Sequence, residues 1–146
     1  MTAPDRRQSE QGWLPLFLAW MIALGASLGA LFIGEVMGQT PCLLCWYQRA
    51  FMFPLALVLG FAALRADRDV WIYAVPLSGV GLVIALYHVL LYYGLIPQAV
   101  VPCGQGPSCT DAKMTVFDSL PLPVLSAVAF AAISILLLAA RRKPAP

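Results

Sequence analysis

Four cysteines carry most of the reactive chemistry in this 146-residue chain. Cys42 and Cys45 form a C-x-x-C directly after Pro41, and Cys103 and Cys109 bracket the Gly- and Pro-rich stretch 104–108. A C-x-x-C at a helix N-terminus lowers a thiol pKa and makes a thiolate available. A pair on a loop of this composition suits exchange with an incoming thiol. Three chemistries use such a set: a static staple, a thiolate metal site, and redox exchange. Four cysteines allow three pairings, and spacing alone does not choose among them. The second pair, with its longer spacing, matches poorly the repeated C-x-x-C of structural zinc sites, so no metal is expected. Two further residues bear on the choice, Arg49 and His88, the latter the single histidine of the chain.

The segments that must position these residues are apolar. Hydrophobic residues make up 61% of the chain and charged residues 11%, against about 45–50% and about 25% in ordinary soluble domains. A free cytosolic enzyme is excluded on that ground. A net charge of +2 with no basic stripe gives no reason to expect nucleic acid. Four segments, 13–33, 46–64, 71–93 and 120–140, are each near the roughly 20 residues that cross a bilayer as a helix. Their only charge is Arg49. Backbone polar groups must be satisfied internally in lipid, so the expected fold is an all-α membrane protein, a four-transmembrane-helix bundle forming one domain over 1–146. A cleaved signal peptide is the alternative for the first segment, but its apolar run exceeds the 7–15 residues of a signal core.

Orientation follows from the cations. Arg6, Arg7, Arg65, Arg68, Arg141, Arg142 and Lys143 all fall on one side of a four-span weave. The positive-inside rule therefore puts both termini in the cytoplasm and the loops 34–45 and 94–119 outside. All four cysteines then lie on the outer side, where disulfides persist. Gly25 and Gly29 form a small-xxx-small face, expected to pack against a neighbouring helix of the same chain. Arg49 lies one turn beyond Cys45 on the same helical face. It stands about 4.5 Å into span two, and His88 about 7.5 Å below the outer end of span three, at 1.5 Å per residue. An intramembrane charge is costly and marks function, although an arginine this near a helix end can also snorkel. A lone histidine can equally serve as a helix–helix hydrogen bond. With Cys45, the two define a polar pocket that a lipid-soluble electron acceptor could reach.

The run Glu35-Val36-Met37 followed by Pro41-Cys42-Leu43-Leu44-Cys45-Trp46-Tyr47-Gln48-Arg49 resembles the disulfide bond formation protein B family, and is most similar to its short BdbC-like branch. The resemblance continues through Tyr87-His88 and Pro102-Cys103 to Cys109-Thr110, and spans about residues 13–140. It implies a bacterial inner-membrane oxidoreductase. Such a protein reoxidises a DsbA-like thioredoxin-fold thiol oxidase on the outer side and passes the electrons to a membrane quinone, ubiquinone or menaquinone. It further implies that Cys42 and Cys45 form the quinone-proximal disulfide, that Cys103 and Cys109 form the partner-facing one, and that Cys45, Arg49 and His88 border the quinone. A vitamin K epoxide reductase-like enzyme is an alternative, but it usually carries its C-x-x-C in the last span. A non-catalytic four-helix subunit with structural disulfides is the other.

Overall fold

The computed structural model describes residues 3–97, 109, 115–116 and 120–141. Helix α1 runs Ala3–Leu31 and continues as a π-helical segment, Phe32–Val36; α2 is Leu43–Arg65, α3 Trp71–Tyr92 and α4 Leu122–Ala140. Before α4, β1 (Thr115–Val116) pairs antiparallel with β2 (Leu120–Pro121). Four stretches are long and apolar enough to cross a membrane: Gly12–Val36, Leu43–Arg65, Trp71–Tyr92 and Leu122–Ala140. Of these, Leu43–Arg65 has the lowest mean hydropathy, 1.4 against 2.0 to 2.5. It carries Gln48 and Arg49, and so gives up apolarity to hold polar groups.

Two boundaries differ from the expected spans for visible reasons. The second helix starts at Leu43, not residue 46, because Cys42 caps it: the Cys42 sulfur accepts the Cys45 backbone N–H at 3.3 Å. The fourth starts at Leu122 because Leu120 and Pro121 are used in strand β2. Cys103 lies outside the described residues, as do Lys113, Arg142 and Lys143.

Each helix packs on its chain neighbours, and α4 returns against α1 to close the ring. The shared interior is built from small and medium side chains: Ala19 and Ala23 of α1, Leu55 and Leu59 of α2, Ala74 and Ala85 of α3, Phe130 and Ile133 of α4. Small residues let helices approach closely where lipid supplies no hydrophobic drive between them. The closest approach is Gly81 of α3, where a β-carbon would overlap the Phe130 ring. One turn away, Ser78 Oγ and Ser134 Oγ are 2.8 Å apart, a hydrogen bond joining the same two helices. At the end of the bundle where α1 begins and α4 ends, Trp13 Nε1 donates to the Ala63 carbonyl (3.1 Å) and Arg68 Nε to the Ala140 carbonyl (3.1 Å). The outer faces are greasy: Leu57, Val83 and Ile135 are each about two-thirds exposed (67%, 67% and 66%). Apolar cover of that extent is what a lipid-facing surface requires.

The α3–α4 contact makes a direct prediction. Gly81→Ala forces a methyl into the Phe130 ring and should destabilise the bundle by about 1–3 kcal/mol. Gly79→Ala, where an added β-carbon meets nothing within 4 Å, should be neutral or gain roughly 0.5–1 kcal/mol. Thermal unfolding of the two variants in the same detergent checks the contrast.

Candidate functional site

The site is assembled by the first two turns of α2. With Cys42 as N-cap, the helical repeat turns Cys45 and Gln48 to one side and places Arg49 one turn beyond Cys45. Cys42 and Cys45 are free thiols with sulfurs 2.9 Å apart. Closure to a disulfide, with sulfurs about 2.05 Å apart, therefore needs little motion. Cys109 is disulfide-bonded. It is buried in the same apolar cluster as Cys42, Leu44 and Leu91, so Cys109 lies against the proximal pair.

The two thiols compete for one position of negative charge. The Cys42 thiol is pulled well below its ordinary pKa, chiefly by the hydrogen bond from the Cys45 side chain. Burial opposes this, while His88 and the Cys45 backbone N–H add to it. In the dithiol form the thiolate thus belongs to Cys42, at the helix N-terminus, where the dipole also favours it.

His88 is completely buried. Its Nδ1 lies 3.1 Å from Gln48 Nε2, and its Nε2 lies 3.2 Å from the Cys109 carbonyl oxygen and 3.9 Å from Cys42 Sγ. The imidazole therefore stands behind the cysteines, between α2 and Cys109. The physical reason is Gln48, which takes the other ring nitrogen and holds the ring between α2 and the Cys109 segment. Arg49 is also tied down: Nη2 donates to the Ala30 carbonyl at 2.7 Å, and the guanidinium lies 5.6 Å from the centre of the Trp46 ring. It is not free to snorkel. Gly34, in the π-helical segment, leaves room for it: a β-carbon there would stand 3.1 Å from Nη2.

Cys42, Cys45 and His88 offer three metal-ligating atoms within 4.8 Å of one another. Zinc–sulfur bonds of about 2.3 Å at tetrahedral angles hold sulfurs roughly 3.8 Å apart. At 2.9 Å the sulfurs are too close for that, and His88 Nε2 faces a carbonyl. The arrangement suits dithiol chemistry better than metal binding.

Beside the pair, a cavity of about 560 Å³ opens between α1, α2 and α4. Its polar lining consists of Cys45, Gln48, Arg49 and Ser126; the rest is apolar, including Ile22, Met52, Phe53 and Ala129. Met21, Leu125 and Val128 at its rim are exposed, so it opens toward lipid. Gly25 and Gly29 line it, and a β-carbon at either would meet nothing within 4 Å. The small-residue face expected to pack a helix instead widens this cavity. Volumes of roughly 300–1,000 Å³, mostly apolar with a few placed polar groups, are typical of small-molecule sites.

Gln48 is a site residue that charge and cysteine spacing do not reveal. Its signal was present: an amide within a span, three residues after Cys45 and buried at 8% exposure, must have a partner.

A multi-pass membrane bundle with a half-buried cysteine pair, and a third, disulfide-bonded cysteine packed against it, defines a membrane thiol–disulfide protein. The profile of the family described as disulfide bond formation protein DsbB matches residues 11–140, and the chain belongs to that family, whose work is membrane-supported disulfide bond formation. Similar proteins include a probable disulfide formation protein of Metapseudomonas resinovorans, 55% identical over 92% of this chain and 94% of that one. A probable disulfide formation protein of Deinococcus radiodurans is 40% identical over 84% and 85%. Disulfide bond formation protein C of Bacillus subtilis is 36% identical over 79% and 83%. No solved structure matches the chain significantly.

The depressed Cys42 pKa has a measurable consequence. Thiolate absorbance of the reduced protein should persist as pH falls well below 8.5, the midpoint of an ordinary thiol. Cys45→Ala removes the hydrogen-bond donor and should move the midpoint up, toward that value. An ultraviolet pH titration, with Cys42→Ser as the blank, reads both. If the reduced protein titrates near pH 8.5, the stabilisation assigned to Cys42 is wrong.

Proposed function

We propose that this chain oxidises a DsbA-like, thioredoxin-fold thiol oxidase on the outer side of the bacterial inner membrane and delivers the electrons to a membrane quinone. One observation carries the proposal: Cys45 both touches Cys42 and lines a lipid-open cavity whose only charged group, among the described residues, is Arg49. Electrons that reach the proximal pair thus stand next to a space that a lipid-soluble acceptor can enter. The positive-inside rule supports the matching orientation, with both termini cytoplasmic.

A bound quinone supplies a two-electron, two-proton acceptor; the chain supplies position and charge. The partner's thiolate attacks Cys103, forming a mixed disulfide and releasing Cys109. The Cys109 thiolate attacks Cys42, breaking the Cys42–Cys45 bond and freeing Cys45 as a thiolate beside the cavity. The partner's second thiol then resolves the mixed disulfide at Cys103, so the partner leaves oxidised and Cys103 is restored as a thiol. Cys103 reclaims Cys109, leaving the electrons on the Cys42–Cys45 dithiol. Arg49 presents its fixed positive charge to Cys45 and to the reduced acceptor. His88 acts from behind Cys42 and does not reach the cavity. Read as a static subunit, the chain leaves the space beside Cys45 without a purpose.

Thiol trapping of reduced protein mixed with a soluble quinone tests the reading. Two thiols should be lost for each quinone reduced, while static bridges would ignore the quinone. Arg49→Ala removes a charge-assisted contact of about 1.5–3 kcal/mol, or roughly 10- to 150-fold. It should raise the KM for quinone by a factor in that range and leave partner exchange intact. Arg49→Lys should recover part of the loss, keeping charge without the planar fork. Reoxidation of Arg49→Ala at the unaltered rate across quinone concentrations would remove Arg49 from the site.

A further inference from the structure

The hydrogen bonds around His88 fix more than its place. A carbonyl oxygen only accepts. His88 Nε2, 3.2 Å from the Cys109 carbonyl, must therefore carry a hydrogen. In the neutral ring Nδ1 then holds the lone pair, and the Gln48 amide N–H, 3.1 Å away, donates to it. The opposite tautomer would set a lone pair against the Cys109 carbonyl. Among the described residues no buried side-chain nitrogen or oxygen lacks a partner, so this chain of contacts is complete. It runs from α2 through α3 to the backbone of Cys109, and the same ring nitrogen faces Cys42 Sγ at 3.9 Å.

We propose that Gln48 and His88 are positioning residues for disulfide exchange between the two cysteine pairs: Gln48 fixes the Nε2–H tautomer of His88, and that N–H anchors the Cys109 carbonyl beside Cys42. The inference rests on the exchange step of the function proposed above. In that step the Cys109–Cys42 bond forms, the Cys42–Cys45 bond breaks, and Cys45 leaves with the electron pair, so no net oxidation occurs within the chain. Its rate depends on how often Cys109 is held in line with Cys42. Gln48 touches neither reacting sulfur, and His88 reaches only Cys42 Sγ, at 3.9 Å. Their effect comes from effective concentration, where a misplacement of about 1 Å can cost on the order of 100-fold.

A single histidine makes the tautomer directly readable. Full-length protein labelled with 15N-histidine, in lipid nanodiscs, gives one pair of imidazole nitrogen resonances. The expected spectrum has hydrogen on Nε2 and a bare Nδ1; a bare Nε2 in the unmodified protein overturns the proposal whatever any variant does. A second measurement uses the Cys45→Ala, Cys103→Ala background, in which only Cys42 and Cys109 remain. Equilibration with glutathione gives the effective concentration of their disulfide. Adding Gln48→Met or His88→Phe should lower it about tenfold or more, in the range that lost positioning allows. Gln48→Glu should restore it, because a carboxylate accepts from Nδ1–H of the imidazolium while Nε2–H stays in place. An unchanged effective concentration in Gln48→Met overturns the positioning role. Neither readout contains quinone or partner. Failure of quinone reduction with both readouts as expected would fault the proposed acceptor and not the anchor.

Discussion

Hydrocarbon offers no partner to a polar group, so each polar side chain that enters this bundle must find one within the protein. The first two turns of α2 meet that constraint on both sides at once. Toward α1, Arg49 spends its guanidinium on the Ala30 carbonyl and the Trp46 ring. Toward α3, Gln48 takes His88, and His88 takes the Cys109 carbonyl. The magnitudes show why both are needed. A charge at the centre of a span costs about 2.5–3.5 kcal/mol on insertion scales, and a hydrogen bond to a charged group returns about 1.5–3. Arg49 stands in the second turn of its span, short of the centre, so its cost is below that figure and its partners offset it. The same contacts fix the rotation of α2, and that rotation decides which side of the helix Cys45 presents.

What Cys45 presents to is set by side chains that are missing. Gly25 and Gly29 leave space along α1, and α4 faces them with Leu125 and Ala129. The helices still hold together because their tight contacts are elsewhere, at Gly81 against Phe130 and at the Ser78–Ser134 hydrogen bond. The α3–α4 contact is close and joined by hydroxyls, whereas α1 and α4, which also pack on each other, part beside Gly25 and Gly29 to leave the cavity. A bundle packed equally on all sides would be more stable and would have no room beside the thiols.

Much of this was legible in the sequence, and the remainder has identifiable physical causes. Hydropathy is a one-dimensional property, so the four spans could be read directly. The Pro41-to-Arg49 run likewise located the start of α2, although Cys42 as a sulfur N-cap moved it back three residues. Which way a helix faces is not one-dimensional. His88 could have bordered the cavity or stood behind Cys42, and only the rotation of α3 decides. Gly25 and Gly29 could have packed a helix or widened a cavity, since a small residue permits both. Gln48 was passed over because an amide carries no charge to attract notice, although its burial in a span already demanded a partner. The Ala30 and Cys109 carbonyls were beyond reach, because backbone partners leave no mark in residue types. Cys103 lies outside the described residues, and its role is the one that the family resemblance implies.

The central claim is that the acceptor occupies the space between α1, α2 and α4, against Cys45. Photolabelling with an azido-quinone in native-like lipid, followed by peptide mapping, addresses it directly. Labels should fall on the cavity-lining stretches of three helices, around Ile22 to Ile33, Cys45 to Phe53 and Leu125 to Ala132, and excess unlabelled quinone should compete them away. Labels confined to the lipid face of α3, at Val83 and Leu86, or insensitive to competition, would contradict it.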